Sequence, residues 1–235
     1  MIIYVSKSYI YINDITLYYD MYITMTEYLL QSDDKCLIAG VDEAGRGPLI
    51  FDVVAACVVM PNVFPDDRYK QIKDSKKLSA KKRKEIAEYI KENAITYGIG
   101  TASNKEIDDT NILKATLKAM HRAIDQAYRK HPFHQIQVDG NHFNGYSPPG
   151  MDSEILPYEC VVKGDGKYLN IAAASILAKE YHDNALLKLI EDNPELEKYD
   201  LRNCQGYGTP KHLQAIKDYG ITEFHRKTFG PCKNY

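Results

Sequence analysis

Three short acidic strings combine the residue types and surroundings that metal-assisted chemistry needs. In residues 38–48, IAGVDEAGRGP, an apolar run ends in Asp42 and Glu43 and then breaks at Gly45 and Gly47. In residues 135–141, QIQVDGN, a second short run ends in Asp139 ahead of a glycine. In residues 161–167, VVKGDGK, Asp165 stands between two glycines and two lysines, Lys163 and Lys167. A charge at the end of a buried strand is costly unless it is paired or bound to metal. Clustered carboxylates suit hard cations such as Mg2+ or Mn2+. A regular strand aims Asp42 and Glu43 at opposite faces, so one shared site requires the backbone to bend there, which the following glycines permit. Each string alone is equally an ordinary turn, Asp-Gly being a common turn dipeptide. Their repetition is what points to a site.

The elements that must carry these acids follow from hydrophobic patterning. Apolar runs suited to strands occur at 36–41, 53–60, 95–102, 136–139 and 158–162. Ser79 is a plausible N-cap for a helix with Ile86, Tyr89 and Ile90 on one side. Leu113, Leu117, Met120, Ile124 and Ala127 recur at helical spacing and predict a helix over 111–130. Further helices are expected over 171–190 and 211–219. Strands that come first and then alternate with helices predict an α/β fold, a mixed sheet covered by helices.

Composition narrows the class. A length of 235 residues fits one globular domain, or one domain with a short appendage. The formal charge of −2 provides no global positive field, so nucleic-acid binding would rest on local patches. Five widely spaced cysteines without a Cys-x-x-Cys pair argue against structural zinc and a disulfide framework, and for a reducing cytoplasmic setting. No apolar run is long enough to span a membrane. Residues 1–34 are set apart as an N-terminal extension from a catalytic domain at 35–235. The tyrosine-rich first 24 residues lack signal-peptide features and would form an added strand or hairpin, or an upstream stretch preceding Met25.

The chain resembles type 2 ribonuclease H, bacterial ribonuclease HII in particular. The matching strings are GVDEAGRGPL (40–49), DSKKLSAKKR (74–83), IDDTNILKATLKAM (107–120) and VDGN (138–141). VVKGDGK (161–167), IAAASILAKEYHD (171–183), GYGTPKHL (206–213) and HRKTFGPCK (225–233) follow in the family's order. The resemblance implies a ribonuclease H-like fold, with a central mixed sheet flanked by helices and a helical C-terminal part. It also implies four catalytic, metal-binding carboxylates at Asp42, Glu43, Asp139 and Asp165. Two divalent ions, Mg2+ or Mn2+ and about 3.5–4 Å apart, would activate water and neutralise the departing 3'-oxygen. The expected reaction cuts the RNA strand of RNA-DNA hybrids, or single ribonucleotides embedded in duplex DNA, leaving 5'-phosphate and 3'-hydroxyl ends.

Telling RNA from DNA requires contact with the 2'-hydroxyl. The resemblance gives that role to the Gly45-Arg46-Gly47 turn, with Tyr207 stacked beside the sugar. Lys76 and Lys77, within a lysine-rich stretch from Lys70 to Lys84, are expected to touch phosphates, as are Lys163 and Lys167. Asp183 reads as support rather than a ligand, and His142, His182 and His225 as surface or packing residues. The family's small residues and proline after GPL are replaced by Ile50, Phe51 and Asp52, a departure close to the site, and Asp52 is not read as a ligand. No clamp-binding tail is expected after the HRKTFGPCK segment, and the chain is expected to act as a monomer. Rival readings are a DNA-directed nuclease of the same superfamily and a catalytically silent hybrid binder. The first has no use for a 2'-hydroxyl sensor, and retention of all four acids opposes the second.

Overall fold

The computed structural model describes residues 36–73, 75, 78–149 and 154–235, together with the strands at 2–5 and 8–11. Those first two strands, β1 (Ile2–Val5) and β2 (Ser8–Tyr11), pair antiparallel, and the rest of the N-terminal extension lies outside the described residues.

The main sheet has five strands: β3 (Ile38–Ala44), β4 (Val53–Val59), β5 (Thr96–Ala102), β6 (Gln135–Asp139) and β7 (Tyr158–Val161). Their spatial order is β5-β4-β3-β6-β7. The β3–β4 and β4–β5 pairs are antiparallel, while β3–β6 and β6–β7 are parallel. All seven residues of β4 are buried because helices cover both faces of the sheet. Such a strand carries a continuous apolar run, VVAACVV, rather than alternation.

One face is covered by α3 (Ile112–Lys130), which begins on the Asn111 side chain as N-cap acceptor from the Lys114 N–H. Its stripe of Ala115, Ala119, Met120, Ala123, Ile124 and Ala127 packs on Val41, Val53, Ala55 and Cys57. The other face is covered by α1 (Ala80–Asn93), capped by Ser79, and by α4 (Leu169–Asp192). A short helix that hydrophobic spacing does not reveal, α2 (Asn104–Asp109), is held by a capping box between Ser103 and Glu106. At the C-terminal end α5 (Leu201–Cys204) and α6 (Pro210–Tyr219) join a separate apolar cluster with Leu49, Ile50, Leu186 and Ile190. The helix α4 is therefore embraced by the sheet, by α1 and by this C-terminal part, which explains why it is apolar around most of its circumference.

Close approach of helix to sheet depends on glycines. A Cβ at Gly100 would stand 2.2 Å from the Ala119 carbonyl oxygen, and one at Gly98 would stand 2.1 Å from that of Ala123. These atoms are backbone and cannot step aside, so α3 must lift. The substitution Gly100→Ala should lower stability by about 2 kcal/mol or more through overpacking. A urea unfolding curve with an unchanged midpoint would contradict this packing.

Candidate active site

The three acidic strings come together at one end of the sheet. Contrary to the expected bend at the acids themselves, β3 stays in register with β4 through Asp42–Ala56, Glu43–Ala55 and Ala44–Val54. The break comes one residue later, at Gly45 with φ of +84°. Both acids still reach a common cavity because pairing of β3 with β6 ends at Val41–Val138. Beyond that pair the edge of β3 is open, and Asp139 ends β6 beside the opening.

A cavity of about 540 Å³ there is lined by Asp42, Glu43, Asp139 and Asp165, by Gly45, Arg46 and Gly47, and by Tyr207. Asp139 Oδ1 accepts the Gly164 N–H at 2.6 Å, which ties the end of β6 to the turn carrying Asp165. Asp42 is 6% exposed. Its burial, and after that the charges of Glu43 and Asp139, push its carboxyl well above the usual carboxylate range, with the Ser175 hydroxyl and the Glu43 N–H only partly opposing. Burial also raises Glu43, partly offset by Arg46, whose Nη1 donates to its Oε1 at 2.9 Å. Among the described residues, no three acid, histidine or cysteine side chains are spaced to hold a metal as they stand. The donor set nevertheless fits a hard cation, being all carboxylate oxygen. Acids under mutual repulsion gain from one.

Tyr207 sits against the turn: a Cβ at Gly47 would lie 2.8 Å from its ring. At Gly45 a Cβ would lie 2.4 Å from the His182 ring, so glycine is needed there for both space and φ. Lys163 and Lys167 flank Asp165 on the exposed surface, outside the cavity lining, and Lys167 Nζ donates to the Val162 carbonyl at 2.9 Å. Lys76 and Lys77 lie outside the described residues.

Residues 39–232 match the family model described as Ribonuclease HII. The chain belongs to the ribonuclease HII family. It is accordingly a ribonuclease H, a phosphodiester hydrolase. The ribonuclease HII of Christiangramia forsetii is 46% identical over 195 residues, spanning 83% of this chain and 91% of that protein. That of Neisseria meningitidis serogroup C is 44% identical over 199 residues, spanning 84% and 94%. Among solved structures, ribonuclease H2 of Pyrococcus horikoshii OT3 aligns with a TM-score of 0.66 at 25% identity, over 84% of this chain and 95% of that one. A Bst ribonuclease HIII in complex with Mn2+ shares the fold, with a TM-score of 0.60 at 17% identity, over 84% and 68%.

Several residues of this ribonuclease HII site escape sequence reasoning. Arg226 is fully buried, and its donors reach five carbonyls, those of Gly45, Arg46, Pro48, Phe51 and Asp52, at 2.6–3.1 Å. No spacing marks it, since its partners lie far off in sequence and are all backbone. Phe51, part of the departure after GPL, adopts φ of +77°, and its ring meets His182 edge-on at 5.6 Å. Asp52 donates nothing to the cavity lining; its Oδ1 accepts the Asn104 N–H. His182 and His225 are buried, and His142 is exposed.

Arg83, within the basic stretch 70–84, does not face solvent. It is buried and pairs with Glu180 at 3.3 Å and Asp183 at 2.8 Å. Its aliphatic neighbours Ile86 and Ala87 pull that face of α1 onto α4. Asp183 also accepts from Lys179 Nζ at 2.8 Å. Burial alone would raise the Asp183 carboxyl, but hydrogen bonds from His182 and Lys179 outweigh it and hold the group below its ordinary value. Its stabilising contribution is therefore present above the unfolded carboxylate pKa, about 3.9, and is lost as pH falls through the lowered folded value. At neutral pH Asp183→Ala should cost about 3 kcal/mol by removing the nearer of the two carboxylates that pair with the buried Arg83, with Mn2+ affinity unchanged. Retained stability, or a collapse of Mn2+ binding in a folded variant, would contradict this supporting role.

Proposed function

We propose that Asp42, Glu43, Asp139 and Asp165 are the catalytic carboxylates of an endoribonuclease that cuts RNA-DNA hybrids and duplex DNA containing ribonucleotides. The observation that carries this reading is the lining of one cavity by all four acids and by the Gly45–Gly47 turn with Tyr207. Two divalent cations, Mg2+ or Mn2+, when bound by these acids, supply the activated water and neutralise charge on the leaving 3'-oxygen. The Mn2+ of the related ribonuclease HIII supports that choice of ions.

The chain's own groups account for the rest. Asp42, buried under β4 and α4, anchors the set, while Glu43 stands at the rim, its charge balanced by Arg46 until substrate arrives. Arg226 draws the carbonyls of residues 45, 46 and 48 inward, which leaves the N–H groups of the turn for the ribose 2'-hydroxyl. Tyr207, 46% exposed, presents its ring for stacking on the adjoining sugar. Lys163 and Lys167 are exposed on either side of Asp165, which supports a role for them in phosphate contact. Residues 35–235 form the catalytic unit, with 1–34 as an extension. Five free cysteines fit a reducing, cytoplasmic setting, and no helix among the described residues is long and apolar enough to cross a membrane. We propose that the chain acts as a monomer.

Asp139→Asn should lower cleavage of a hybrid at least roughly a hundredfold by removing one anionic ligand, measured with Mg2+ and with Mn2+. Intact turnover would remove Asp139 from the reaction. The same assay run also on a duplex with one ribonucleotide and on an all-DNA duplex separates the rivals: cutting all-DNA as fast as the hybrid favours a DNA-directed nuclease, and cutting none of the three favours a silent binder. Tyr207→Ala should slow cleavage at a single embedded ribonucleotide by about tenfold or more, the worth of one stacking contact, with little change in melting temperature. Equal losses in activity and stability would make Tyr207 merely structural.

A further inference from the structure

The segment at 224–226 runs beside 49–51. Ile50 and His225 form an antiparallel bridge, the Phe51 N–H donates to the Phe224 carbonyl at 2.9 Å, and the Arg226 N–H donates to the Leu49 carbonyl at 2.8 Å. Two consecutive side chains leave this segment for different tasks. Arg226 takes the carbonyls of the Gly45–Gly47 turn, and His225 enters a buried chain of hydrogen bonds that ends at Tyr207.

The polarity of that chain follows from its ends. The Thr222 N–H lies 3.0 Å from His225 Nδ1, and a backbone N–H can only donate. His225 therefore carries its proton on Nε2, which faces His212 Nε2 at 3.2 Å. At the far end His212 Nδ1 lies 3.0 Å from the Tyr207 carbonyl, which can only accept. His212 therefore carries its proton on Nδ1 and accepts on Nε2. Both ends impose one direction: Thr222 N–H to His225, His225 to His212, His212 to the Tyr207 carbonyl. Both rings are wholly buried, with Tyr199 edge-on against each. Burial lowers the basicity of both, and that of His225 falls to about 4 with His212 adding to the effect, so the pair is neutral near pH 7.

We propose that the His225–His212 relay is a positioning device for ribose recognition, holding the Tyr207 backbone at a set distance from the turn that Arg226 fixes. This rests on the reading of that turn and Tyr207 as the ribose sensor. His212 and His225 touch no substrate; they act through the Tyr207 main chain. Because Arg226 and His225 are neighbours on one bridged segment, the two walls of the sensor cannot drift apart independently.

The test compares kcat/KM for a duplex with one embedded ribonucleotide against kcat/KM for an RNA-DNA hybrid, in the wild type and in Tyr207→Ala, His212→Ala and His212→Asn. His212→Ala should lower the ratio about tenfold, as Tyr207→Ala does, since one buried hydrogen bond to the sensor is lost. His212→Asn, whose amide can still donate to the Tyr207 carbonyl, should restore the ratio. A normal ratio in folded His212→Ala, or no rescue by asparagine, overturns the relay while leaving the sensor standing. A normal ratio in Tyr207→Ala instead overturns the sensor reading, and the relay's purpose with it. Nitrogen-15 histidine spectra of the metal-free wild type at pH 7 decide the geometry even where a variant fails to fold. The proton should sit on Nε2 of His225 and Nδ1 of His212, and the reverse tautomers, or a charged ring, would overturn the proposal.

Discussion

Burying like charges at the end of a sheet is unfavourable, and the architecture around this site can be understood as what makes that burial tolerable. Asp42 is shut in by β4 and α4, with Glu43 and Asp139 close enough that each raises its proton affinity. A protein interior has little to offer such a group except hydrogen bonds, and the Ser175 hydroxyl and Glu43 N–H are not enough to bring it back to its ordinary value. The remaining source of stabilisation is positive charge from outside. A hard cation bound among these acids would supply that charge, which is the physical basis of the metal role proposed for them.

Positioning comes from different parts of the chain than the acids themselves. The sheet sets Asp42, Glu43 and Asp139 through the register of β3 and β6. The C-terminal part sets the Gly45–Gly47 turn, because Arg226 collects five carbonyls of the 45–52 segment in one buried guanidinium. A guanidinium can serve carbonyls in several directions at once, which a lysine ammonium does less well. The turn is thus stiff without help from its own residues, two of which are glycines. Asp42 and Glu43 are thereby tied to the Gly45–Gly47 turn through one short stretch of chain, while Asp139, Asp165 and Tyr207 are brought to it by other elements.

Much of this was legible in the sequence. A continuous apolar run marked β4, Ile136 and Val138 marked β6, and helical spacing marked α3, because burial leaves those patterns directly in the residues. Acids followed by glycine marked the strand ends of the site, and their meeting followed from resemblance rather than from spacing. Arg83 was hidden in a run of lysines, since nothing local distinguishes an arginine that pairs with Glu180 across 97 positions from one in water. Arg226 and the His212–His225 pair were hidden for a related reason: their partners are carbonyls and ring nitrogens brought close only by the fold. The helix α2 could have been found from Ser103 and Glu106, whose spacing is that of a capping box. The bend expected at Asp42 and Glu43 fell at Gly45 because pairing with β4 holds β3 straight through Ala44.

Anomalous diffraction from crystals soaked in Mn2+ tests the central claim most directly. The account predicts manganese peaks within the cavity, coordinated by oxygens of Asp42, Glu43, Asp139 and Asp165. Peaks only elsewhere on the surface, with these four side chains left apart and unliganded at saturating Mn2+, would contradict it.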